Sequence, residues 1–169
     1  MTRSLHDKIG FLQLGCRRYG YTRDDVPALI DAALRAMEAC AVRESGPFTS
    51  PEEARTYARL RLADQPSEVF ACFFLDSKHR LIEFRELFRG TIDGASVHPR
   101  EVARVALELN AGTVILCHNH PSGDPEPSAA DVAITHRLRR ALELIDVRVL
   151  DHVVVGAEGA VSLAERGVI

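Results

Sequence analysis

The sequence has no C-x-x-C pair, no internal repeat, no low-complexity tract and no apolar run approaching the roughly 18 residues of a membrane-spanning helix. Its opening, MTRSLHDKIGFLQLG, has neither an apolar stretch of about seven residues nor a small-residue cleavage site, so it does not read as a signal peptide. The four cysteines, Cys16, Cys40, Cys72 and Cys117, stand far apart in apolar surroundings, which argues for reduced, buried thiols rather than a disulfide framework. Together these absences point to a cytoplasmic protein without a membrane partner. A strong positive charge is missing too: the formal net charge is -3, so any contact with nucleic acid has to come from a local patch.

What is present suits a soluble globular chain. Apolar residues make up 46% and charged residues 27%, which excludes wholesale disorder. The 169 residues suffice for one domain with a full core and a small appendage. The main punctuation is ESGPFTSPEEAR, where Ser45, Gly46 and Pro47 break the chain. Ser50, Pro51 and Glu53 then supply an N-cap, a first-turn proline and a capping-box partner, predicting a helix to about Leu62. Before the break, Ile30, Leu34, Met37 and Ala41 form a helical stripe. Residues 1–45 therefore read as an N-terminal helical arm and residues 46–169 as the body.

In the body, VFACFFLD is a continuous apolar run, DSKHR has the polarity of a hairpin turn, and LIEFRELFRG follows as a second strand. Val102, Val105, Ala106 and Leu109 have helical spacing, closed by Asn110 and Gly112. TVILCH reads as a short buried strand, SAADVAITHRLRRALELI as a helix, VRVLDHVVVG as the last long strand and SLAERGV as a terminal turn of helix. Alternating strands and helices predict an α/β (α+β) body, a sheet flanked by helices.

The segment CHNHPSGDPEPSAAD carries the chemistry. His118 and His120 follow the TVILC strand, and the two-residue period of a strand sends both imidazoles to one face at its C-terminal end. PSGDPEP is too rich in proline and glycine for helix or ladder; Ser128 then has the signature of an N-cap, with Asp131 one turn inside the helix mouth. Two imidazoles and a carboxylate suit a divalent ion such as zinc, with a fourth tetrahedral position left for water. Ser128 and Asp131 also spell a capping box, a stability device without chemistry, and both readings hold together. The letters HNH are too close together for the ββα endonuclease motif, and Ser122 and Gly123 stand where H-x-H-x-D-H would need Asp and His. Asp151 and His152, adjacent in a strand, face opposite ways: one is a candidate orienter of a ligand, structural roles being the alternative. Cys117 points away from the site, and Arg137, Arg139 and Arg140 form a basic cluster that is either a solvated face or a phosphate contact.

The pattern of His118, His120, Ser128 and Asp131 resembles the JAMM (MPN+) metallopeptidase motif. More narrowly, HNHPSGDPEPSAAD with Thr135, VHPREV at 97–102 and LDHVVVG at 150–156 resembles the RadC family, over about Ser67 to the C-terminus. The resemblance implies a JAMM/MPN-like mixed sheet in a cytidine-deaminase-like three-layer arrangement. It implies a zinc cofactor held by His118, His120 and Asp131, with Glu68 as general base and then acid and Ser128 as oxyanion donor. Glu68 heads a buried strand, while Glu83, Glu86 and Glu101 compete for its role. The implied reaction is hydrolysis of a peptide or isopeptide bond in a protein substrate. The alternative is a DNA-repair or DNA-metabolism accessory protein, its metal site structural or directed at DNA or a DNA-bound protein. Residues 1–66 lack the G-x-G turn of the family's helix-hairpin-helix region, so the chain resembles a short form.

Overall fold

The computed structural model describes residues 22–43, 51–90 and 97–169. The break at residues 45 and 46 and the Ser50 cap lie outside them. The chain divides into two compact units, residues 1–37 and 38–169. In the first, a 3-10 turn at Arg23–Asp25 leads into helix α1, Val26–Arg43, which continues past the boundary at residue 37. Asp25 secures the entry by accepting from the Thr22 N–H and hydroxyl, at 2.6 and 2.7 Å.

In the second unit the order is α2 (Pro51–Leu62), β1 (Val69–Leu75), β2 (Leu81–Arg89), α3 (Pro99–Glu108), β3 (Thr113–Asn119), α4 (Ala129–Glu143), β4 (Arg148–Gly156) and β5 (Gly159–Ser162). The five strands form one mixed sheet in the order β2-β1-β3-β4-β5, in which only β3 and β4 are parallel. Every residue of β1 and β3 is buried, as their unbroken apolar runs require. The turn after β1 is built by Asp76, whose carboxylate accepts from the N–H groups of Lys78 and Arg80.

Side-chain alternation sorts the sheet into two faces. Phe70, Cys72 and Phe74 of β1 with Val114 and Leu116 of β3 pack against Val102, Val105 and Ala106 of α3 and Leu138 and Leu142 of α4. On the other face Tyr57 of α2 packs its ring against Phe73 and Phe84. Each fully buried aromatic or leucine contributes about 1.5 to 3 kcal/mol, so the apolar periodicity of these elements suffices to hold three layers together. The expected three-layer α/β arrangement is the one observed.

VRVLDHVVVG is the last long strand, as expected, but Ala157 and Glu158 form a two-residue turn that returns the chain as the short β5, which the sequence pattern does not show. SLAERGV, by contrast, is not a turn of helix. Its first residue ends β5, and Leu163 to Gly167 form turns tied back by the Leu163 N–H to the His152 carbonyl, 3.0 Å. Asp151 causes this: its carboxylate accepts from the Ser162 hydroxyl at 2.6 Å and the Ala164 N–H at 3.0 Å, which holds the segment against β4.

Candidate metal centre

The parallel β3 and β4 end side by side. There the chain leaves β3 through His120, whose N–H donates to the Val155 carbonyl at 2.8 Å. Gly123, at φ +92, turns the loop back onto the end of β4. The packing is so close that a Cβ on Gly156 would lie 2.4 Å from the Gly123 oxygen. Ser128 then caps α4, and its hydroxyl accepts from the Asp131 N–H at 3.2 Å while the Ser128 N–H donates to Asp131 Oδ2 at 2.7 Å.

This geometry brings His118, His120 and Asp131 together, one ligating atom from each lying within 4.8 Å of the others. His118 Nε2 is 3.0 Å from His120 Nε2 and 3.2 Å from Asp131 Oδ1, and His120 Nε2 is 3.4 Å from Asp131 Oδ2. Tetrahedral zinc with bonds of about 2.0 to 2.1 Å needs ligand atoms roughly 3.3 Å apart. The three side chains match that spacing. The same aspartate thus completes the capping box with one oxygen and meets His118 with the other, so the two readings of its spacing coexist.

Hydrogen bonds fix what the imidazoles present. His120 Nδ1 is 2.8 Å from the Asp124 carbonyl, an acceptor only, so Nδ1 carries the proton and a neutral ring turns a bare Nε2 into the cluster. His118 Nδ1 is 2.9 Å from His152 Nε2, and His152 Nδ1 is 2.5 Å from Thr135 Oγ1. Two nitrogen lone pairs and a carboxylate facing one another repel unless a cation, proton or metal, stands among them. Accordingly, hydrogen bonding to Asp131 raises the His120 pKa against its burial, helped by the charge of Glu68. Burial acts to raise the Asp131 carboxyl, but hydrogen bonds from His118 and His120 outweigh it and hold the group well below the usual carboxylate range. His152, wholly buried, is pushed well below the usual imidazole range by desolvation first and then by His118. Phe70 walls the site, its ring centroid 6.2 Å from that of His118 and 5.5 Å from that of His152.

Glu68 is half-buried and immediately precedes β1. Phe70 pairs with His118, and continuing that antiparallel register by two residues sets Glu68 across from His120. Its competitors are engaged elsewhere. Glu83 pairs with Arg85, Glu86 with Arg89, and Glu101 with Arg104. Ser128 lies beside the cluster, with its hydroxyl donating to Asp131 Oδ2 at 2.7 Å. Cys117 points away and donates to the Ala71 carbonyl, as expected from alternation. The exposed Arg137, Arg139 and Arg140 stand on α4.

Of the adjacent pair Asp151 and His152, the aspartate holds the C-terminal turns and the histidine reaches His118, so one member takes each of the two roles weighed. No local pattern marks Asn119, and Thr135 enters only through the resemblance. Asn119 ties β3 to the segment carrying Glu68, a contact 50 residues away in sequence that no spacing reveals.

Comparison with known proteins identifies the family of the chain. A family model described as "RadC-like JAB domain" matches residues 48–168. A UPF0758 protein of Marinobacter nauticus is 50% identical over 167 residues, 99% of this chain and 72% of that protein. A UPF0758 protein of Thioalkalivibrio sulfidiphilus is 65% identical over 122 residues, 72% of this chain and 54% of that protein. One of Vibrio cholerae is 62% identical over 120 residues, 71% of this chain and 75% of that protein. The chain thus spans little more than half the length of one of these relatives.

Proposed function

Since the chain belongs to the RadC-like JAB domain family, we propose that it is a zinc-dependent hydrolase of peptide or isopeptide bonds. The observation that carries this reading is the convergence of two imidazole nitrogens and a carboxylate at the spacing of tetrahedral ligands. A zinc ion bound there supplies Lewis acidity, polarising a carbonyl and lowering the pKa of water to about 7.

The chain's own groups do the rest. His118, His120 and Asp131 would hold the ion, and the segment that carries Glu68 lies across from His120. The Glu68 carboxylate accepts a proton from the attacking water and returns it to the leaving amine. Its place across from His120, and its charge acting on that imidazole, support the role. Ser128 steadies the developing oxyanion by turning its hydroxyl proton from Asp131 to the substrate. Oδ2 of Asp131 then keeps the Ser128 N–H as partner, so the redirected hydroxyl strands no charge.

The test is elemental analysis of the purified full chain, followed by hydrolysis of peptide- and isopeptide-linked substrates. Stoichiometric zinc lost in His118→Ala and His120→Ala, and hydrolysis lost in a Glu68→Gln variant that keeps zinc, are the expected results. A Glu68→Gln variant as fast as the wild type removes Glu68 from the mechanism. Salt-dependent DNA binding that survives removal of the metal favours the accessory-protein reading instead.

A further inference from the structure

Thr135 and His152 lie behind the ligand cluster, both fully buried, and with neutral imidazoles their hydrogen bonds admit one arrangement of protons. Thr135 Oγ1 is 2.5 Å from the Asp131 carbonyl oxygen. Two oxygens that close repel unless a proton lies between them, so the Thr135 hydroxyl donates to the carbonyl. With its single proton committed, Oγ1 can only accept from His152, 2.5 Å away, so His152 carries its proton on Nδ1. His152 Nε2 is then an acceptor, and His118 Nδ1, 2.9 Å distant, must be the donor. In the neutral His118 ring the remaining nitrogen, Nε2, is therefore bare, and it is the atom 3.2 Å from Asp131 Oδ1.

We propose that Thr135, through His152, is the positioning residue that sets the tautomer of His118 and so makes its Nε2 available to a metal ion. The chain of bonds begins on the backbone of Asp131 and ends on a ring facing the same residue's carboxylate, so it fixes two ligands relative to each other. A hydroxyl that bonds back to the carbonyl four residues earlier is neutral to mildly unfavourable for a helix by itself. Its second bond, to a buried histidine that packs on the Phe70 ring, gives the residue a purpose beyond the helix. The inference rests on the metal-site reading, and its test is separable from that reading.

Thr135→Val keeps the side-chain shape and removes the hydroxyl. The His152 Nδ1–H is left without an acceptor, His152 moves its proton to Nε2, and His118 must respond by protonating its own Nε2. Two readouts apply to the full chain: zinc affinity by competition with a chromophoric chelator, and long-range ¹⁵N–¹H spectra of the imidazoles in the metal-free protein. Expected are an Nδ1–H tautomer for His118 in the wild type, a switch to Nε2–H in Thr135→Val, a loss of about 10 to 100-fold in zinc affinity, and recovery in Thr135→Ser. An Nε2–H tautomer of His118 in the wild type overturns the proposal whatever the variants do, as does wild-type zinc affinity in Thr135→Val. Affinity lost without a tautomer change assigns Thr135 to packing and overturns it as well. If the wild type binds no zinc, the metal reading fails, and the spectra alone still decide the hydrogen-bond chain.

Discussion

Asn119 Oδ1 accepts a hydrogen bond from the Val69 N–H at 2.8 Å, and Asn119 Nδ2 donates to the Ser67 carbonyl at 3.1 Å, so one buried amide grips the backbone on both sides of Glu68. The middle residue of H-N-H thus ties the segment carrying the proposed base to the strand carrying the proposed ligands. Asn119→Ala leaves the Val69 N–H unsatisfied, at a cost of about 1 to 3 kcal/mol in stability. Zinc affinity stays near wild type because no ligand touches this amide, while hydrolysis falls. Denaturant unfolding, chelator competition and substrate assays on one preparation check all three.

Gly156 accepts the loop that orients His120. An added Cβ would sit 2.4 Å from the Gly123 oxygen and 2.6 Å from the Pro125 nitrogen, both backbone atoms with nowhere cheap to go. Gly156→Ala therefore displaces the loop whose Asp124 carbonyl holds His120 Nδ1. The expected outcome is a stability loss of about 1 to 3 kcal/mol with weakened zinc binding, read by thermal unfolding and chelator competition.

His120 gives the site a pH dependence with a definite sign. Its folded pKa is raised above the ordinary 6.5, chiefly by Asp131, so the charged pair stabilises the metal-free fold fully below that value. The contribution is lost as pH rises through the raised folded value. Asp131, depressed in the fold, contributes above its ordinary 3.8 and keeps doing so well into acid. Zinc and the proton compete for one nitrogen, so zinc affinity climbs across the interval in which the metal-free protein loses this stabilisation. Zinc competition and metal-free unfolding measured over the same pH series should move in opposite directions; parallel trends would show that His120 is not the titrating ligand.

The thiols of Cys72 and Cys117 are both pushed up by burial, which leaves little thiolate to react. Neither should be labelled by a thiol reagent in the native protein, and both should react once denaturant unfolds the sheet. Labelling followed by peptide mapping separates them from Cys16 and Cys40.

Local sequence settled the elements whose periodicity is strong. The apolar runs of β1 and β3, the spaced valines of α3 and the Ser128 cap are short-range patterns, and each forms where its pattern lies. β5 escaped because four residues carry too little periodicity to stand out. The terminal turns escaped because the hydrogen bonds that shape them come from Asp151, on another strand.

The site divides along the same line. H-x-H at the end of a strand and an aspartate one turn into a capped helix were determined by the sequence, since strand alternation and capping act within a few residues. Which nitrogen each histidine offers, what holds Glu68 opposite His120, and which of Asp151 and His152 reaches the cluster were decided only when β1, β3, β4 and α4 packed together. Those answers are hydrogen bonds between residues 17, 34 and 50 positions apart, and only the sheet brings such residues within reach.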